Sequence, residues 1–173
     1  MRKAATGTPQ GTAYIAHLWE HPNLTLAFFG VQFHSEEAAT LYGESGIEEQ
    51  MRASLAEESA MLCMREFPEG NGGVQLQYWR SYQELAAYSK RLPHMAWWKW
   101  LMEHDGQGFS LYHEFYVCRT AEAIFEQGTE PVGPGTFCTL SATPLGGNRS
   151  DERLQRFADA QDEALRRGVA GRS

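Results

Sequence analysis

Residues 60–80, AMLCMREFPEGNGGVQLQYWR, read as two strands around one turn, and they place the rest of the fold. The run Pro68-Glu69-Gly70-Asn71-Gly72-Gly73 is made of turn-forming residues, so the chain must reverse there. After it, Val74 to Arg80 alternates strictly, with Val74, Leu76 and Tyr78 on one side and Gln75, Gln77 and Trp79 on the other. The spacing predicts a hairpin of Ala60–Phe67 with Val74–Arg80, whose Val, Leu and Tyr side is expected to face the core. Upstream, Leu24–Phe33 (LTLAFFGVQF) is rich in aromatic and β-branched residues and reads as a strand. Ser35 then caps a helical stretch with acids in its first turn, running to about Glu58 and interrupted by Gly43 and Gly46. Downstream, Ser81 caps a second helix with Glu84 at the capping-box position, and Pro93 opens a further piece over His94–Glu103. Phe109–Val117 (FSLYHEFYV) is the last strand. The order β-α-β-β-α-β is that of an α+β, ferredoxin-like domain.

Outside this core, residues 1–23 form a lead-in in which Tyr14–Trp19 is expected as a short helix. Residues 119–148 are expected to hold a short helix over Ala121–Glu126 and then an arm bent by Gly128, Gly133, Pro134 and Gly135. Ser150 caps a last amphipathic helix, with Arg166 and Arg167 at its end and Gly168 beyond it. The boundaries are therefore 1–23, 24–118 and 119–173, within a single domain overall. A chain of 173 residues has about the length of one domain and buries roughly two-thirds of its unfolded surface.

Charge narrows the function. Fifteen Lys and Arg against 22 Asp and Glu leave −7, and no basic run stands apart, so a nucleic-acid partner is not expected. Three cysteines lie far apart, without a disulfide framework or zinc-finger spacing. The start lacks the apolar region of a signal peptide, and no apolar run is long enough to span a bilayer. The reading is a cytoplasmic protein without a membrane partner.

A four-stranded sheet with helices on one face leaves the other bare. On the expected phase that face carries Gln75, Gln77 and Trp79 together with Tyr112, Glu114, Tyr116 and Cys118. Two such faces packed together remove the exposed aromatic patch, so a homodimer is expected.

The segment Tyr78-Trp79-Arg80-Ser81 with the helix after it, then Pro93-His94-Met95-Ala96-Trp97 and Tyr112-His113-Glu114-Phe115-Tyr116, resembles the antibiotic-biosynthesis-monooxygenase type of dimeric α/β-barrel protein. The match is to a monooxygenase-like subgroup with YWRS, P-H-x-x-W and HExY elements, and it covers roughly residues 24–140. The resemblance implies a ferredoxin-like dimer that oxidises aromatic or polyketide substrates without a cofactor, uses or degrades haem, or only binds a ligand. Many members carry Ala-His in the helix after the third strand. Here Ala87 is followed by Tyr88, so that histidine's role does not transfer. The resemblance also implies a pocket histidine at His94, whose plain alternative is a helix-start or surface residue.

His113 is in phase with Leu111 and Phe115 on the apolar face. It is either a buried, hydrogen-bonded core histidine or a general base or iron ligand, since neutral imidazole serves both of the latter. Glu114 points the opposite way, toward Arg80 or Arg119. Trp97 and Trp100 share a helix face with Leu101, which is core spacing, yet an indole also makes a broad wall for a flat ligand. Tyr78 is expected to face inward as a hydrogen-bond donor to a substrate oxygen, or to be a buried tyrosine with a backbone partner. Leu111, Phe115 and, from the arm, Phe137 or Val132 complete the expected wall, with the arm as lid. No phosphate-binding glycine motif, nucleophile elbow or zinc-protease motif is present. The expectation is an oxidoreductase acting on a hydrophobic small molecule, with His113 or His94 as base and no cofactor. The alternatives are a haem enzyme with His113 or His94 as axial ligand, or a non-catalytic binding module.

Overall fold

The computed structural model describes residues 11–144 and 150–170. Along them run strands β1 (Thr12–Ala16), β2 (Thr25–Phe33), β3 (Met61–Glu69), β4 (Gly72–Trp79), β5 (Phe109–Val117), β6 (Ile124–Glu126) and β7 (Leu140–Pro144). The helices are α1 (Glu36–Glu44), α2 (Ile47–Glu57), α3 (Tyr82–Tyr88), α4 (His94–Glu103) and α5 (Ser150–Ala170). Their contacts divide them into two units: Asn23–Cys118, and the described residues on either side of it.

In the first unit the expected hairpin forms, β3 against β4, but its ladder runs on through Pro68–Gly73 and Glu69–Gly72, so the turn shrinks to Gly70-Asn71, with Gly70 at φ +55. The antiparallel sheet has the order β3-β4-β2-β5. Counted within the unit this is second, third, first, fourth, the ferredoxin-like order. β2 is central because it is the aromatic, β-branched strand and can be covered on both edges; it pairs Thr25 with Trp79 of β4 and with Val117 of β5. Where β4 starts, a Cβ on Gly72 would stand 1.8 Å from the Val31 carbonyl oxygen, so only glycine lets the hairpin close on β2. The helix starts are local chemistry. Ser35 Oγ accepts from Ala38 N at 3.2 Å, and Ser81 Oγ accepts from Glu84 N at 3.2 Å while donating to Glu84 Oε2 at 2.8 Å. Gly46, at φ +65, separates α1 from α2.

One phase is the reverse of the expectation. Trp79, fully buried, packs with Leu55 of α2 and with Leu85 and Tyr88 of α3. Gln75, Gln77 and Trp79 therefore face the helices, while Val74, Leu76 and Tyr78 face the other side. Tyr78 lies opposite Leu26 and Cys63, beside Arg65. The large indole outweighs the smaller apolar set, and the two glutamines tolerate burial because they bond to each other. On β5 the expected phase holds: His113 is registered with Phe29 on the helix side.

The second unit differs more. Tyr14–Trp19 is not a helix: β1 is the middle strand of a sheet ordered β6-β1-β7, followed by one 3-10 turn at Leu18–Glu20. Ala121–Glu126 is likewise not helical, because Ile124–Glu126 pairs with β1. α5 docks through fully buried Phe157, an Arg153–Glu122 ion pair at 2.7 Å and Gln161 Nε2 donating to the Pro22 carbonyl at 3.0 Å. It continues past Gly168, which does not stop it. The Gly/Thr/Pro opening of the lead-in lies outside the described residues. Among the described residues no helix is long and apolar enough to cross a membrane.

Candidate active site

Between the helix-side face of the core sheet and α2, α3 and α4 lies a cavity of about 1260 Å³. Phe29 and Phe115 line it from the sheet, Leu55 and Leu85 from the helices, and Trp97 and Leu101 from α4. That volume exceeds the roughly 300–1,000 Å³ of ordinary small-molecule sites, so a multi-ring ligand fits. The mouth is apolar as well. Met95, Trp98 and Met102 lie on one stripe of α4, each about half exposed, and all three line the cavity.

His94 is the first residue of α4, where Pro93 ends the preceding turn. Its ring lies 5.6 Å from Trp97 and 6.1 Å from Tyr88, centroid to centroid. Its Nδ1 is buried and has no hydrogen-bond partner. Burial pulls the imidazole pKa below its ordinary value, and the Ser89 backbone opposes this more weakly. At neutral pH the ring is neutral. Trp97 Nε1 donates to Tyr42 Oη at 3.4 Å, and burial raises the Tyr42 phenol. Tyr88 donates to Ser54 Oγ at 3.1 Å.

Across the cavity, His113 stacks on Phe115 with centroids 4.9 Å apart and meets Phe29 at 6.2 Å. It lines the cavity on the edge strand β5, but it is exposed, so the buried-core reading is wrong. Leu111 and Phe115 also line the cavity, as expected. Two residues expected at the site do not. Tyr78 is on the opposite face of the sheet, its phenol raised by burial and bonded to Arg65. Trp100 points to the other side of α4 from Trp98, stacked on His104 at 4.1 Å and Phe109 at 5.7 Å. Phe137 and Val132 belong to the second unit, where Phe137 lies edge-on to His21 at 5.1 Å. Glu114, away from the cavity, accepts from the Tyr116 hydroxyl.

The reversed phase of β4 brings in residues not anticipated for the site. Trp79 Nε1 donates to Gln77 Oε1 at 2.9 Å, Gln77 Nε2 to Gln75 Oε1 at 3.2 Å, and Gln75 Nε2 to Glu66 Oε1 at 3.0 Å. Arg52 closes the row, bonding Glu66 and, at 2.9 Å, Glu48. Gln75, Gln77, Glu66 and Arg52 all line the cavity, giving it one polar stripe. Two glutamines alternating with apolar residues and ending on a tryptophan were the signal for it. Among the described residues no group of three or more His, Cys, Asp or Glu could hold a metal ion.

No curated protein sequence matches the chain. Among solved structures, the cofactor-independent oxygenase SnoaB of Streptomyces nogalater is 12% identical over 57% of this chain and 96% of its own, with a TM-score of 0.44. A putative antibiotic biosynthesis monooxygenase of Deinococcus radiodurans is 11% identical over 56% of this chain and 94% of its own, also at 0.44. Aldoxime dehydratase OxdRE, solved with butyraldoxime, is 14% identical over 93% of this chain but 46% of its own, at 0.58. That last likeness is one of fold, over nearly the whole chain, which spans about half of the dehydratase. A family model described as Monooxygenase af470-like matches residues 31–133, the stretch that carries His94, His113 and the glutamine row. The chain belongs to this monooxygenase family, and with it to the oxidoreductases.

Proposed function

We propose that the protein oxidises a hydrophobic, electron-rich aromatic substrate in the core cavity without a bound cofactor, with His94 as the base. One observation carries the reading: His94, at the start of α4, places a neutral imidazole in the lining of a large apolar cavity. A neutral imidazole takes the proton of a bound phenol or activated C–H. The resulting anion passes an electron to dioxygen, and a carbon–oxygen bond forms to give a hydroperoxide. Loss of water leaves a quinone. Overall, a phenol and O₂ become a quinone and H₂O, and the substrate supplies all four electrons. Walls of Trp97, Leu111 and Phe115 keep water from the anion, which water would otherwise protonate. His113 faces the same space from the rim and has a secondary, substrate-contacting part.

The protein is proposed to act as a homodimer joined through the outer sheet face. Phe28 and Tyr116 meet edge to face there at 6.0 Å, and Arg65 lies over Phe67 at 4.8 Å. The test of function is oxygen uptake with polycyclic phenols and anthrones. His94→Ala should lower it by at least about a hundredfold, the scale of general-base contributions, and unchanged uptake would refute the assignment.

The same cavity-lining imidazole supports a second reading, in which His94 would hold a haem. Haem would supply redox chemistry at iron. His94 would hold it, and the apolar walls would exclude water around it. A Soret band in the protein purified without added ligand decides for this reading, and a colourless, active protein decides against it.

A further inference from the structure

The polar stripe of the cavity has a direction. An indole N–H can only donate, so Gln77 must turn its oxygen to Trp79. Its amide nitrogen then faces Gln75, which must answer with oxygen. The Gln75 nitrogen reaches Glu66, a carboxylate that only accepts and is held by Arg52. Both ends therefore fix the same orientation, and neither amide can flip without breaking two bonds. Each amide nitrogen spends one hydrogen within the row and keeps a second. Gln77 is 4% exposed, so bulk water does not compete for that hydrogen.

We propose that Gln77, assisted by Gln75, is the cavity's oxyanion-binding element: a fixed pair of N–H donors for the phenolate or enolate oxygen of the substrate. This rests on the cavity being the site of oxidation. Donors that are already aligned need no reorganisation as charge develops, which is where such contacts are worth most. The far end of the row cannot take this part, because Glu48 and Glu66 face a single guanidinium there and repel an anion. The negative oxygen therefore belongs at the Trp79 end, over Gln77. This is the donor role expected of Tyr78, moved to the strand face that meets the cavity.

The test uses the whole protein and alizarin, a flat three-ring phenol whose ionisation is visible as a colour change. Binding is followed by tryptophan fluorescence and ionisation by a pH titration of the bound dye. Alizarin bound to the natural protein should ionise about one unit or more below the free dye, the scale of shift that donor hydrogen bonds produce. Gln77→Leu would strand the Trp79 N–H in the core, so the chosen variant is Gln77→Glu. Its carboxylate still accepts from Trp79 but brings negative charge and no hydrogen, and it should raise the bound dye's pKa above the free value. Gln75→Leu should lose part of the downward shift, and its melting temperature, read alongside, separates that loss from a loss of fold. Bound dye with an unshifted pKa, or variants that keep the full shift, would overturn the oxyanion role and leave the oxidation reading standing. Failure of alizarin to bind at all would overturn both. Because the shift is read without turnover, failure of His94 as base would leave the oxyanion role untouched.

Discussion

A histidine that must lose its solvent to enter a wall of tryptophan and tyrosine carries its chemistry in its pKa. His94 is held below the ordinary imidazole value of about 6.5. Activity that needs its neutral form should therefore be flat above that value and fall on an acid limb whose midpoint lies below it. His94→Gln should abolish the limb along with most of the rate. Stability has the same sign: with the folded pKa depressed, His94's contribution is complete above about 6.5 and is lost as pH falls through the folded value, because only the unfolded chain takes the proton readily. Tyr78→Phe should leave oxygen uptake within about twofold of the natural protein, since the phenol lies behind the sheet, whereas a donor in the site would cost far more. Alternation in VQLQYWR was legible from the sequence; its inward side was not. Hydropathy favours Val, Leu and Tyr, and only the tertiary partners of Trp79, together with the bonds between the glutamines, reverse the choice. His94, Trp97, Leu111 and Phe115 were legible because a helix start and a strand period place them, while Trp100 needed a side-chain direction that no spacing provides.

At the scale of elements, the core was read well wherever a local atom sets a boundary. Ser35, Ser81, Pro93 and the glycine turn each fix an end through a contact only a few residues away. β1 and β6 escape a local reading because what makes them strands is a partner more than a hundred residues distant, which no local propensity reports. Two substitutions test these causes. Ser81→Ala should cost about 1 kcal/mol, the usual value of a lost cap, measurable by urea unfolding. Gly72→Ala should cost more, because the methyl meets the Val31 carbonyl, a backbone atom fixed in the β2–β4 ladder. Loss of about 2 kcal/mol or more, with faster amide exchange over Val31–Gln32 and Gly72–Val74, is the expected outcome.

For the whole molecule, the outer face of the core sheet predicts the assembly. Light scattering at micromolar concentration should return twice the mass of the chain. Tyr116→Asp, at a half-exposed position, should return the single mass without loss of helix signal. A natural protein that scatters as one chain would remove the dimer. The three-stranded sheet of the second unit has a consequence in time. β1 leaves the ribosome first, yet its hydrogen-bonding partners are β6 and β7, encoded after the whole of Asn23–Cys118. During synthesis the ferredoxin-like unit can close while β1 waits with both edges unpaired. Birth of the protein therefore has two steps, with an early segment exposed to chaperones until residues 124–144 emerge to clasp it. Chains arrested at Cys118 should protect the core amides from exchange and leave Thr12–Ala16 unprotected.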